Sequence, residues 1–139
     1  MVIVDTSAMV EFFREKGDAY VKLAVRALFL KYEATLCGPV EMEFLGGARL
    51  NEIGHIRSWF NILPYIRNDQ KLWRKAAGNF AKLKSDGITA PWNDVLIATI
   101  AMESECRVYA VDKHFDSMAG IFTELRLYSP GYGGMYNPD

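Results

Sequence analysis

The stretch that most constrains this chain is its beginning, Met1-Val2-Ile3-Val4-Asp5-Thr6-Ser7-Ala8, where three β-branched residues run without a break into a carboxylate and two hydroxyls. A short, continuously apolar run predicts a strand covered on both faces, as in a parallel sheet. A half-exposed antiparallel strand would alternate instead. Asp5 then stands at the carboxyl end of the strand. In open α/β sheets ligands bind beyond those ends, which gives Asp5 a functional reading. It has a structural one too, because Asp, Thr and Ser are all good N-caps for a helix starting near Ala8.

The rest of the chain alternates helical and strand patterns. Residues 8–14 read as a short helix, and Asp18 caps a second one over 20–30. A buried strand is predicted at 34–37, bounded by Gly38-Pro39, and Pro39 opens a helix over 39–50 at the position where its missing N–H costs nothing. That helix carries Glu41 and Glu43 in its first turns. Two residues apart means about 200° around the axis, so the two cannot point into one pocket. Gly46 and Gly47 are poor helix formers and predict a close approach by another element. Another helical piece covers 52–60, and 62–66 is extended, with Pro64 arguing against a central strand. Asp69 caps a long helix to about Ser85, with Leu72, Trp73, Ala76, Ala77, Phe80 and Leu83 as its buried stripe and Trp73 and Phe80 assigned to the core. Residues 92–103 are apolar nearly all round, so this helix is buried and Asp94 lies in its opening turn. A strand at 107–111 ends, like the first, in an aspartate, Asp112. A short helix with Phe115 and Met118 and a strand at 124–128 follow, and the tail 129–139 reads as flexible. Strands alternating with helices predict an α/β sandwich around a short, mainly parallel sheet, as one domain over 1–139.

A chain of 139 residues has room for one sizeable core and can bury roughly 70% of the surface its unfolded form exposes, so it needs no disulfide or structural metal. Cys37 and Cys106 lack the paired spacing of a zinc or redox motif and read as reduced core residues. No leader and no run long enough for a membrane span are evident, so a soluble cytoplasmic protein is expected. Net charge is only −1, yet between Arg49 and Lys84 there are eight basic residues against two acidic ones. An acidic remainder beside a basic segment suits a protein that holds cations in one place and a phosphate backbone next to it. Lys71, Arg74 and Lys75 are the candidates for that contact, with Lys113 beside Asp112. His55 and His114 read as surface or packing residues.

Asp5 and Asp112 at strand ends, and Glu43 and Asp94 in opening helical turns, meet at the same edge of an α/β sheet. Four converging carboxylates repel one another unless cations neutralise them. Oxygen ligands without a histidine or cysteine cluster point to magnesium or manganese. Divalent ions held by carboxylates activate water for phosphodiester hydrolysis.

These residues resemble the PIN domain, especially its VapC toxin branch: Val4-Asp5-Thr6-Ser7, Glu43-Phe44-Leu45-Gly46-Gly47, Asp94-Val95-Leu96-Ile97-Ala98-Thr99 and Val111-Asp112-Lys113-His114-Phe115 stand in the family's order and spacing over nearly the whole chain. The resemblance implies a three-layer α/β/α sandwich with a central sheet of four to five strands. It further implies a magnesium- or manganese-dependent endoribonuclease, the toxin of a toxin–antitoxin pair, that is dimeric and held inactive by a small antitoxin. It carries over Asp5, Glu43, Asp94 and Asp112 as catalytic metal ligands, with Asp116 near enough to contribute, and it favours Glu43 over Glu41 because only Glu43 has a glycine four residues on. Thr6 and Ser7 take positions that support the ligands. Ala110 departs from the family's hydroxyl residue two positions before Asp112, which removes a supporting hydrogen bond. That departure is the best ground for the alternative, a non-catalytic PIN module that binds RNA or a protein partner.

Overall fold

The computed structural model describes residues 1–131, and the predicted tail therefore lies, from residue 132 onward, outside the described residues. The described residues form β1 (Val2–Val4), α1 (Thr6–Phe13), α2 (Ala19–Leu30), β2 (Ala34–Cys37), α3 (Gly38–Gly47), α4 (Ile53–Phe60), β3 (Tyr65–Ile66), α5 (Gln70–Ser85), α6 (Trp92–Glu103), β4 (Arg107–Tyr109), α7 (His114–Ile121) and β5 (Arg126–Leu127). The five strands make one sheet in the order β3-β2-β1-β4-β5. Every pairing is parallel.

β1 is central. Val2 pairs with Ala34 on one side and Arg107 on the other, and Val2, Ile3 and Val4 are fully buried. The chain leaves β1 towards β2 and returns later to β4 on its opposite side. The carboxyl ends of β1 and β4 therefore bound a topological switch point, where α/β sheets open a crevice. Right-handed crossovers put α1 to α4 on one face of the sheet and α5 to α7 on the other. The first group shares an aromatic cluster in which Phe12 meets Phe29 at 5.1 Å and Trp59 at 5.4 Å, both edge-on. In the second, α6 packs between α5 and α7. Residues Asp94 to Ala101 of α6 are all buried, as its apolar circumference requires.

Several elements depart from the sequence reading in length. α1 begins at Thr6, so Asp5 ends the strand and caps the helix at once, its side chain accepting from the Ser7 N–H. α3 stops at Gly47 rather than residue 50, and a Cβ built at Gly46 or Gly47 would meet nothing within 4 Å. The two glycines end the helix through their low helical propensity and admit no close neighbour. β4 ends at Tyr109 and β5 covers only Arg126–Leu127, so Asp112 sits in the loop beyond β4. In α5, Leu72, Ala76 and Leu83 are buried, but Trp73 is 55% exposed and Ala77 is exposed as well. The three buried residues fall within about 40° of one another around the axis, whereas Trp73 and Ala77 lie about 100° and 140° from Leu72. The predicted stripe was too wide. Pro64 precedes an edge strand, where a missing donor is tolerated.

Candidate active site

Asp5 is 2% exposed, since it follows the fully buried β1 and lies under the start of α1. Its Oδ2 accepts from the Ser7 N–H at 3.1 Å and the Ser7 hydroxyl at 2.7 Å. Its Oδ1 is buried without any hydrogen-bond partner. Burial is the main force pushing its pKa up from 3.8 to about 6, the two Ser7 bonds oppose it, and the charges of Asp94 and Asp112 add to it. The Ser7 hydroxyl also accepts from the Val111 N–H at 3.0 Å, so one side chain ties Asp5 to the loop that carries Asp112. The neighbouring Thr6 hydroxyl is buried without a partner.

Asp94 stands in the first turn of α6 and is buried. Its Oδ2 lies 2.8 Å from Nδ1 of His114. Burial pushes its pKa up, the His114 hydrogen bond pulls it down, and Asp112 and Glu43 push it up further. Asp112 is half-buried and accepts from the His114 N–H at 3.1 Å through its Oδ1, which is also 3.8 Å from the His114 ring. One ligand atom from each of Asp94, Asp112 and His114 lies within 4.8 Å of the others. The pKa of His114 is raised, first by its hydrogen bond to Asp94; desolvation opposes this, and the charges of Asp112, Asp94 and Asp5 add to the rise.

Glu43 is exposed on α3 and stands at the rim, where its Oε2 accepts from Nδ2 of Asn93 at 3.3 Å and its charge reaches Asp94. Asp116 is exposed on α7 and shares with Asp112 and Lys113 a cavity of about 290 Å³ beyond β4. Lys71 and Arg74 are exposed on α5. Lys75 is held by Glu103 at 2.6 Å, nine residues along α6 from Asp94 and so about 13 Å away along the axis. His55 packs edge-on against Phe13 at 6.0 Å, apart from the carboxylates.

His114 is a surface residue as the sequence reading had it, and its contact with the acidic group is what that reading did not foresee. The signal was the Asp112-x-His114 spacing: an aspartate that accepts from the N–H two residues on makes a tight turn and starts α7 at His114. Asn93, which clamps Glu43 while its own Oδ1 is buried and unpartnered, was also missed.

The donor set suits a hard divalent cation. Three aspartates on three separate elements are electrostatically coupled, and the most buried one presents a bare oxygen.

The family profile described as the PIN domain matches residues 2–121. The chain is 36% identical over 135 residues to the VapC ribonuclease Mb1587 of Mycobacterium bovis, covering 93% of this chain and 98% of that protein. The same identity and coverage hold for ribonuclease VapC11 of Mycobacterium tuberculosis. Among solved structures, FitAcB from Neisseria gonorrhoeae superposes with a TM-score of 0.72 at 16% identity, covering 95% of this chain and 99% of that one. VapBC2 from Rickettsia felis, bound to a DNA fragment from its promoter, gives 0.68 at 16% identity, with 92% and 98% covered. The likeness to the solved structures is one of fold, and the match of family and sequence is broader: this chain belongs to the PIN domain family.

Proposed function

We propose that this chain is a metal-dependent endoribonuclease, the toxin of a toxin–antitoxin pair, and that Asp5, Glu43, Asp94 and Asp112 hold its metal. The observation that carries this reading is the buried, unpartnered Oδ1 of Asp5 beside the charges of Asp94 and Asp112. Such a group is costly unless a cation completes it. Magnesium or manganese would supply Lewis-acid polarisation of a phosphodiester and activation of water. Ser7 fixes the Asp5 carboxylate through Oδ2, which leaves Oδ1 as the oxygen free to ligate. Asp94 and Asp112 add oxygens from α6 and the β4–α7 loop. Glu43 and Asp116 stand at the rim as further oxygen donors. His114 turns Nδ1 to Asp94 Oδ2 at 2.8 Å, so in this reading its other ring nitrogen, Nε2, is the one that donates to a phosphate oxygen.

The curated relatives are named ribonucleases, which supports RNA as substrate. A solved neighbour of the same fold from Klebsiella pneumoniae is titled as a toxin–antitoxin complex, which supports an antitoxin as partner. We read the chain as a single domain over 1–139, cytoplasmic and acting as a homodimer. Among the described residues no helix is long and apolar enough to cross a membrane. Lys71, Arg74 and Lys113 are exposed and serve the RNA backbone in this reading, and Lys75 does so less because Glu103 engages it.

The test is cleavage of total cellular RNA by the purified protein with magnesium, with manganese and with chelator, alongside Asp5→Asn and Asp94→Asn. Metal-dependent cleavage that both substitutions abolish is expected. Equal behaviour of wild type and variants would overturn the catalytic reading and favour a non-catalytic binding module.

A further inference from the structure

The acidic centre contains one donor atom that is not an oxygen. Nδ1 of His114 lies 2.8 Å from Asp94 Oδ2 and 3.8 Å from Asp112 Oδ1. The three side chains bring one donor atom each within 4.8 Å of the others. In an octahedral shell with bonds of about 2.1 Å, adjacent donors stand about 3 Å apart, so the two separations bracket what a shared cation requires. The local turn supplies this geometry. Asp112 Oδ1 accepts from the His114 N–H at 3.1 Å, which folds residues 112–114 back on themselves and starts α7 at His114, with its ring against Asp94 of α6. An ion pair alone does not satisfy the charges that meet here. The ion pairs that reach Asp94 and Asp112 both come from His114, and one imidazolium offsets one carboxylate. Asp5 adds a third coupled carboxylate, 2% exposed and with a bare Oδ1. A divalent cation supplies the missing charge.

We propose that His114 is itself a ligand of the metal, through Nδ1, and that this one nitrogen among oxygens makes the site prefer a first-row transition-metal dication, manganese foremost, over magnesium. The proposal rests on the reading of the acidic centre as a metal-dependent ribonuclease site and adds a ligand outside the four carboxylates. Magnesium is a hard cation that takes oxygen donors and gives up its water reluctantly, so an imidazole adds little to its affinity. Several carboxylates with one imidazole keep the oxygen majority that suits manganese and add the nitrogen that the transition series binds well. Binding exchanges a proton for the metal. The hydrogen shared by Nδ1 and Asp94 Oδ2 goes to solvent, and the ring is held as the tautomer protonated on Nε2. On a side chain that is 54% exposed, that N–H remains the donor for a phosphate oxygen. The chain has two histidines, and the other, His55, packs against Phe13 apart from the carboxylates and serves as a control.

The experiment loads chelator-stripped protein with manganese and reads its ligands by pulsed electron paramagnetic resonance, which detects a coordinated imidazole as a nitrogen hyperfine coupling. Wild type and His55→Ala are expected to show the coupling, and His114→Ala to lose it. Isotope-labelled histidine, which changes the nuclear spin of the ring nitrogens, is expected to change the pattern in wild type, a readout that needs no substitution. Affinities are titrated through the resonance of free manganese and, for magnesium, through thermal shift. His114→Ala is expected to weaken manganese binding about tenfold or more, since even a hydrogen-bonded support of a metal ligand is worth about 10–100-fold. Its magnesium affinity is expected to change by less than about twofold. Bound manganese without nitrogen coupling in wild type, a coupling that survives in His114→Ala, or equal losses for the two ions would overturn the proposal and leave a metal centre of carboxylates alone. Failure of wild type to bind either ion, with Asp5→Asn behaving alike, would overturn the metal-centre reading itself and this ligand with it.

Discussion

The energetic weight of the acidic centre can be measured by removing one charge from it. Asp5 carries a pKa of about 6 where an ordinary aspartate has 3.8. The folded state therefore binds this proton more tightly than the unfolded chain does. Stability from this group is full below 3.8 and is lost as pH rises through about 6. At about 1.4 kcal/mol for each tenfold change in proton affinity, ionised Asp5 costs the fold about 3 kcal/mol at neutral pH. Asp5→Asn removes that cost. The amide oxygen accepts both Ser7 bonds, and the NH2 group takes the place of the bare Oδ1, facing the carboxylates of Asp94 and Asp112. The variant is expected to be more stable than wild type by about 2–3 kcal/mol in chelator at pH 7, the lower end allowing for an incompletely bonded NH2. With about 2 cal/mol/K of unfolding entropy per residue over 139 residues, Tm rises by about 10 °C. The gap closes as pH falls to 4. Added magnesium raises the Tm of wild type and leaves that of the variant nearly unmoved, because a ligand stabilises only the state it binds. The assay is thermal or urea unfolding from pH 4 to 8, with and without the ion. A variant no more stable than wild type at pH 7, or a gap that does not vary with pH, would refute the argument that burial and repulsion load this carboxylate.

Ser7→Ala should act in the opposite direction, costing about 1 kcal/mol and driving the Asp5 pKa further up, since it removes a hydroxyl that donates to Asp5 and accepts from the Val111 N–H; urea unfolding and the pH profile of RNA cleavage read both effects. The His114 ring, followed by proton NMR in chelator, should titrate above 6.5 and move back towards it in Asp94→Asn, because its hydrogen bond to Asp94 is the first cause of the shift. Any stability it contributes is present at low pH and fades as pH rises through the raised value. Lys75→Ala should leave cleavage and stability almost unchanged, within about 1 kcal/mol, since Lys75 is engaged in an exposed pair with Glu103; a loss of cleavage as large as that of Lys71→Ala would show that Lys75 does touch RNA.

What could be read in advance follows from which forces are local. β2 and α6 have the bounds predicted, because an apolar run between turn residues and a helix apolar all round leave one arrangement each. The Asp69 cap fixed the start of α5 through its bond to the Leu72 N–H. Strand ends were less legible. Ala110 and Val111 are as apolar as Tyr109, but β5 offers them no ladder partner, so β4 stops earlier. Trp73 was misplaced because hydrophobicity does not say how wide a stripe the neighbouring helix covers. Asp5 and Asp94 were legible from a strand end and a helix start, Asp112 from a strand read to Val111 that ends at Tyr109, and Glu43 was separated from Glu41 only by the family's glycine spacing. Their different depths, with Asp5 buried and Glu43 at the rim, depend on how far α3 stands from β1, which no spacing along the chain encodes.

The depth of Asp5 also explains why the repulsion does not relax. A carboxylate on a loop could swing into water and shed its cost. Asp5 follows three fully buried residues in the central strand, and its N–H donates to the Tyr109 carbonyl of β4 at 2.9 Å. Asp94 lies in a helix buried through two further turns. Neither can move away without opening the core, and side-chain rotation of Asp5 would break both bonds from Ser7. The fold thus holds the charges together with its most rigid parts, and the free energy stored there, about 3 kcal/mol at Asp5 alone, is available to a cation that binds between them. A site built this way gains metal affinity from the packing of β1 and α6 as much as from the ligands themselves, so a core substitution that loosens either element should weaken magnesium binding even though it touches no ligand.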